Sequence, residues 1–203
     1  MSAGLAPARA AATAVDSAAT VASAAATAVE SARAHAELSP EVTRSRALVW
    51  QDPLPSAAAG AALSGLDHVR ALMDGEIPPP PIAVTLNFTP VEASEGRAVF
   101  QGEPGEEHYN PIGVVHGGYA STLLDSALGC AVHTTLPAGV AYTTQSLEVK
   151  MVRPITRETG TVRAEAEVVY RGRRQATAEA RLYAVDSGKL LAHGTSTCMI
   201  LGG

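Results

Sequence analysis

Asp125 is the residue that first asks for an explanation. It is the only charged side chain in residues 117–133, GGYASTLLDSALGCAVH, and its neighbours include Leu123, Leu124, Ala127 and Leu128. Burying a carboxylate costs several kcal/mol unless it is paired. Two readings follow: a carboxylate bonded to neighbouring backbone, or a general base or nucleophile with a tuned pKa. The same stretch opens with His116-Gly117-Gly118, preceded by Asn110-Pro-Ile-Gly-Val-Val. Two glycines at a helix start let another group approach the backbone and leave N–H groups unpaired. Such a terminus favours negative charge, including the developing oxyanion of acyl transfer. A plain tight turn is the competing reading of a lone Gly-Gly.

Spacing adds a constraint. Gly117 and Asp125 are eight residues apart, about 12 Å along a helix at ~1.5 Å per residue. Catalytic contacts are near ~3 Å, so both groups reach one carbonyl only from different protomers. The expectation is an active site across a symmetric dimer interface. Other chemistries fit less well. His108, His116, His133 and His193 lack metal-ligand spacing, and His133 and His193 read as ordinary surface or strand residues. Cys130 has no evident activating neighbour and reads as packing. Ser121 and Ser126 sit in no G-x-S-x-G elbow, which disfavours a serine hydrolase.

The elements that must position these groups show in the hydropathy pattern. Residues 117–133 are apolar nearly all round, as an interior helix should be. Period-two alternation recurs over 143–152, 161–170, 175–185 and 190–200, which predicts an antiparallel sheet with one buried face. Arg171-Gly172-Arg173 and Asp186-Ser187-Gly188 read as short turns between hairpin neighbours. Upstream, Val84, Leu86 and Phe88 alternate as a strand would, and a further strand is expected from Arg97 to Gly102. Residues 64–74 read as a short amphipathic helix stopped by Gly75. The run Pro78-Pro79-Pro80-Pro81 is expected to be extended. One long central helix with a five- to six-stranded antiparallel sheet wrapped around it is an α+β architecture.

The pattern Asn110-x-x-Gly113-x-x-His116-Gly117-Gly118, with Asp125 following, resembles the signature of the hotdog-fold acyl-CoA thioesterases, in the PaaI-like branch of the phenylacetate pathway. The resemblance runs on through Thr144, Arg153-Pro154, Gly160, the Arg171-Gly172-Arg173-Arg174 turn and Gly188-Lys189-Leu190, over roughly residues 64–203. It implies a hotdog fold and hydrolysis of an acyl-CoA thioester to free acid and CoA. Asp125 would attack the thioester or activate water, and the Gly117 N–H would polarise the carbonyl. Asn110 would help hold that carbonyl or the water, and Thr144 would position the water. His116 would shape the glycine turn and contact substrate. Gly118, Arg153, Arg171, Gly172, Arg173 and Arg174 would bind substrate, with the arginine turn at the CoA phosphates. The family's two residue sets come from opposing subunits, and homodimers that assemble into homotetramers are common there. No metal or resident cofactor is implied, because coenzyme A arrives as part of the substrate. A non-catalytic acyl-CoA binding or sensing module is the alternative, and a hotdog hydratase ranks last, since Asp125 and His133 are spaced too far apart for it.

Composition bounds the rest. The chain has 203 residues with 46% hydrophobic but only 4% aromatic side chains, and a net charge of −5. An acidic chain argues against a general nucleic-acid binder. Residues 140–181 nevertheless carry eight basic and five acidic side chains, a local surplus suited to a phosphorylated carrier. No stretch approaches the roughly 20 apolar residues that span a bilayer, and the N-terminus lacks a secretory pattern. Two cysteines cannot build a disulfide framework. A cytoplasmic protein is the expectation, with no nucleic-acid or membrane partner. Residues 1–36 hold 17 alanines and too few large apolar groups to dock, with too few arginines for a transit peptide. The expected organisation is an Ala-rich disordered tail over 1–45, a linker with a short helix and proline run over 46–81, and the hotdog domain over 82–203.

Overall fold

The computed structural model describes residues 44–202. The Ala-rich tail expected over 1–45 lies almost wholly outside the described residues. From residue 48 onward the chain forms one compact unit.

Three short helices come first. α1 spans Pro53–Ala61, and the Asp52 side chain caps it by accepting from the Leu54 N–H at 3.0 Å. α2 spans Gly65–Met73, capped by the Ser64 hydroxyl on the Asp67 N–H. Both caps satisfy an N–H that the first turn would leave bare. α2 is the helix expected over 64–74. It is no part of a linker, however: Val69, Ala71 and the following Ile77 are buried, and the Gly65 N–H donates to the Leu136 carbonyl at 3.0 Å. The apolar stripe of α2 is spent on the rest of the fold, unlike that of a free linker.

α3, Pro81–Leu86, replaces the strand expected around Val84 and Leu86. Pro80 is extended as expected, but Pro81 opens the helix. Proline fixes φ for the first helical position and has no N–H to lose there. Asn87 ends it in a left-handed conformation with φ 53, one that asparagine tolerates. A six-residue apolar run fits either period, and the proline at its head decides it.

Six strands follow: β1 (Phe88–Ser94), β2 (Arg97–Gly102), β3 (Ala141–Met151), β4 (Val162–Arg171), β5 (Gln175–Ala184) and β6 (Leu190–Leu201). They form one antiparallel sheet in the order β1-β2-β4-β5-β6-β3. α4, Gly117–His133, lies against its concave face. Leu123, Leu124, Ala127, Leu128, Ala131 and Val132 of α4 are fully buried. They meet Ala164, Ala166, Ala176, Ala178 and Ala180 of the sheet, which are also buried. Small sheet residues let the bulky helix leucines nest closely, and close packing is where a core gains its last increments of stability.

β3 departs from simple alternation. Thr144 pairs with Cys198 and Ser146 with Thr197, so Gln145 is an extra residue in a bulge. Tyr142 before the bulge and Val149 after it both pack against the core, although one is even-numbered and the other odd. A bulge re-aims the chain in this way. The uniform alternation expected over 143–152 therefore holds only after Gln145.

Candidate active site

Asp125 lies two turns into α4, and Thr144 stands on β3 one residue before the bulge. The Thr144 hydroxyl donates to Asp125 Oδ1 at 3.0 Å. Asp125 is half-buried rather than enclosed. It shares an incompletely covered stripe with Ser121 and Thr122, on the side of α4 away from the fully buried leucines. The carboxylate is thus held at one oxygen and open to a ligand.

The start of α4 is a separate place. His116 is the N-cap, and its Nδ1 accepts from the Gly118 N–H at 2.8 Å. The Gly117 N–H has no partner among the described residues. Asn110 braces the preceding loop: its Oδ1 accepts from the N–H groups of Ile112 at 3.1 Å and Val114 at 3.3 Å. Gly113 completes that loop at φ 82, a conformation that costs glycine little. A cavity of about 290 Å³ opens here, lined by Asn110, His116, Gly117, Met151, Arg153 and Ile155 among others. An unpaired N–H at a helix N-terminus, facing a cavity, suits an electron-rich oxygen.

The arginine turn occupies the far end of the sheet. Arg171, Arg173 and Arg174 are exposed between β4 and β5, and the Arg174 carbonyl accepts from the Ile200 N–H. Register places that end by Thr144: Ala176 pairs with Cys198, and Cys198 with Thr144. The α4 N-terminus lies beside the other end, where Met151 pairs with Ala192 and Ala192 with Leu182. The candidate residues of one chain therefore fall into two separate groups. Asn110, His116, Gly117 and Arg153 share one, and Asp125 and Thr144 share the other, toward the arginine turn.

The sequence profile of the Thioesterase superfamily matches residues 112–191, which span the α4 N-terminus, Asp125, Thr144 and the arginine turn. A thioesterase family protein from Silicibacter pomeroyi has 29% identity and a TM-score of 0.58, with 66% of this chain and 96% of that one covered. A phenylacetic acid degradation-related protein from Ralstonia eutropha has 29% identity and a TM-score of 0.59, covering 64% and 98%. A point mutant of the phenylacetic acid degradation protein PaaI from Thermus thermophilus has 30% identity and a TM-score of 0.54, covering 59% and 98%. The chain belongs to the hotdog-fold thioesterase superfamily, in its PaaI-like branch. No curated protein matches it.

Thioester hydrolysis is the reaction class of this superfamily, and the structure shows which atoms of the expected site residues are already engaged. The Gly118 N–H is occupied by His116, so Gly118 is not a free donor to substrate. Asn110 Oδ1 is occupied too, which leaves its amide N–H groups for a ligand. Arg153 donates through Nη1 to the Leu190 carbonyl at 2.7 Å and so braces the chain where β6 begins. The basic surplus over 140–181 is partly consumed by ion pairs: Lys150 with Glu148, Arg163 with Glu92 and Glu165, and Arg181 with Glu179. Arg171, Arg173 and Arg174 form no ion pair among the described residues.

Two histidines and a tyrosine were not singled out by sequence. His133, expected to be ordinary surface, is half-buried, and its Nε2 lies 3.1 Å from His68 Nδ1. Burial, then the neighbouring His68, pushes the His133 pKa down to about 4. Tyr142 packs on His133 with ring centroids 5.3 Å apart. Nothing in the spacing of His68 and His133 announces the pair, because 65 residues separate them. Burial pushes the Cys130 thiol up to about 12, in agreement with a packing role and against a nucleophile. Among the described residues no group of three or more His, Cys, Asp or Glu could hold a metal ion.

Proposed function

We propose that the protein hydrolyses an acyl-CoA thioester to the free acid and CoA, at sites shared between two protomers. The observation that carries this reading is the division of the signature residues. The unpaired Gly117 N–H and the Thr144-held Asp125 carboxylate lie on one helix eight residues apart, about 12 Å. One thioester cannot touch both within a single chain. A symmetric partner can bring its Gly117 opposite Asp125, and symmetry then makes two sites per dimer. Tetramers would follow by pairing two such dimers.

In that arrangement the Gly117 N–H, aided by the Asn110 amide, donates to the thioester carbonyl oxygen and stabilises the oxyanion as it forms. Thr144 fixes Asp125 Oδ1, which leaves Oδ2 to accept a proton from water or to attack the carbonyl itself. In the water route, hydroxide adds to the carbonyl carbon and the tetrahedral intermediate expels the CoA thiolate. The thiolate then takes the proton that Asp125 accepted. Arg171, Arg173 and Arg174 of the turn would bind the phosphates of CoA. Water, a carboxylate and backbone donors complete the chemistry, so no metal or resident cofactor is called for. The substrate and the enzyme would meet in the cytoplasm. Among the described residues no helix is long and apolar enough to cross a membrane.

The experiment is release of free thiol from a panel of acyl-CoAs by wild type and Asp125→Ala. Turnover that depends on Asp125 is the expected result. Equal rates for the two proteins would overturn the assignment, and binding without turnover would favour the alternative of an acyl-CoA binding module.

A further inference from the structure

A second cavity lies at the opposite end of α4 from the Gly117 N–H. It measures about 310 Å³ and is walled by α1, α2, the last turns of α4 and the residues leading into β3. Gly60, Leu63, Val69, Leu72 and Val140 give it a mainly aliphatic lining. Cys130 and Tyr142 belong to its wall as well. These two residues also connect the cavity to the carboxylate. Cys130 is five residues beyond Asp125 on α4, about 7.5 Å at ~1.5 Å per residue. Tyr142 is two residues before Thr144 on β3, on the same face. Asp125 lies close enough to both for its charge to act on the Cys130 thiol and the Tyr142 hydroxyl.

We propose that this cavity receives the far end of the acyl group, an uncharged aliphatic chain, and that α1 and α2 set how long that chain can be. This rests on the reading of Asp125 as the carboxylate at the thioester. At about 30 Å³ per water-sized group, the cavity takes roughly ten non-hydrogen atoms. A two-carbon acyl group would end near Asp125, whereas longer chains would reach the wall at Cys130 and Tyr142 and bury methylenes among its aliphatic side chains. The polar groups on the wall are suited to a neutral guest. His68 and His133 face each other at 3.1 Å, and burial lowers the pKa of both, so the pair is uncharged at neutral pH. The Cys130 thiol is likewise held in its neutral form. α1 and α2 supply the wall that faces the end of α4, through Ala57, Gly60, Val69 and Leu72, and these side chains are where chain length would be set.

The test measures affinity rather than turnover. Titrate the full-length protein with non-hydrolysable S-alkyl-CoA thioethers carrying two to fourteen carbons. Wild type should bind short chains alike and then gain roughly fourfold per added methylene, up to a plateau. Leu72→Trp and Ala57→Phe fill the cavity from two helices, and each should cut the long-to-short affinity ratio at least tenfold. Ala57 is exposed on α1, so its variant folds even if the tryptophan at position 72 does not fit. Affinity indifferent to chain length, or a wild-type ratio in the filled variants, would overturn the proposal. With turnover of acyl-CoAs intact, that result faults the cavity alone; absence of turnover on every acyl-CoA faults the reading of Asp125.

Discussion

The Thr144 hydroxyl on the edge strand β3 donates to Asp125 on the central helix α4 at 3.0 Å. This bond joins two elements distant in sequence and leaves one carboxylate oxygen uncommitted. It also defines the first tests.

Asp125→Asn keeps the side-chain volume and can still meet Thr144, but it accepts no proton and makes no nucleophilic attack. Thiol release should fall by roughly 10²–10⁴-fold in kcat, with KM little changed. Steady-state kinetics together with an unaltered melting curve checks this.

Thr144→Val removes the hydroxyl and keeps the β-branched shape that a strand favours. The carboxylate then loses its fixed orientation. We expect kcat to drop about tenfold, Thr144→Ser to recover most of it, and stability to fall by only ~1 kcal/mol. Equal loss in the Ser and Val variants would contradict a role for the hydroxyl.

Sharing of each site between protomers can be read by mixing. Asp125→Asn and Asn110→Ala protomers are each crippled alone. Co-refolded at equal amounts, half the dimers are hybrids, and each hybrid has one intact and one doubly damaged site. Activity should return to roughly a quarter of wild type. No recovery, with hybrid dimers shown to form, would mean that each chain completes its own site.

The exposed arginine turn predicts a split in KM. Replacing Arg171, Arg173 and Arg174 by alanine should raise KM for an acyl-CoA while leaving kcat near wild type. KM for the matching acyl-pantetheine, which lacks the nucleotide phosphates, should not change. Rising ionic strength should weaken wild-type binding more than that of the triple variant.

Stability should depend on pH through the histidine pair. The folded-state pKa of His133 is lowered to about 4, mainly by burial, whereas a free histidine titrates near 6.5. The unfolded chain therefore binds more protons between these values, and stability is full above pH 6.5 and declines as pH falls toward 4. His68 shifts in the same direction and adds to the slope. Glu92 is held low by its bonds to Arg97 and Arg163, so its contribution is lost only at the acid end of this window or below. Calorimetry should show Tm falling by several degrees across the window, with a shallower fall in His133→Leu.

Much of this was legible in the sequence, for identifiable reasons. The span Gly117–His133 was readable to the residue, because glycines mark its start and the apolar run continues to its end. β4, β5 and β6 were readable because one buried face enforces a period of two. The separation of Gly117 from Asp125 was readable from helix rise alone. Three features were not legible. α3 reads as a strand until the prolines before it are given their weight. The bulge at Gln145 is visible only as a conflict of parity, with Thr144 even and Leu147, Val149 and Met151 odd. The packing of α1 was hidden because small side chains such as Ala57, Gly60 and Ala61 carry no apolar periodicity, and α2 showed an apolar stripe without showing what it packs on. That packing shows instead in the close approach at Gly65, where an added Cβ would lie 1.7 Å from the His133 carbonyl oxygen.

The extra residue in β3 has a consequence for how this gene can change. Tyr142 and Thr144 reach the helix side from one half of the strand, while Val149 and Met151 reach it from the other, and Gln145 alone reconciles the two. Deleting that single codon would barely shorten the strand, yet it would turn one half inside out. Either Thr144 would swing away from Asp125 or Met151 would leave Gly117. A substitution along this edge alters one contact, whereas a change in its length moves a whole half of the strand.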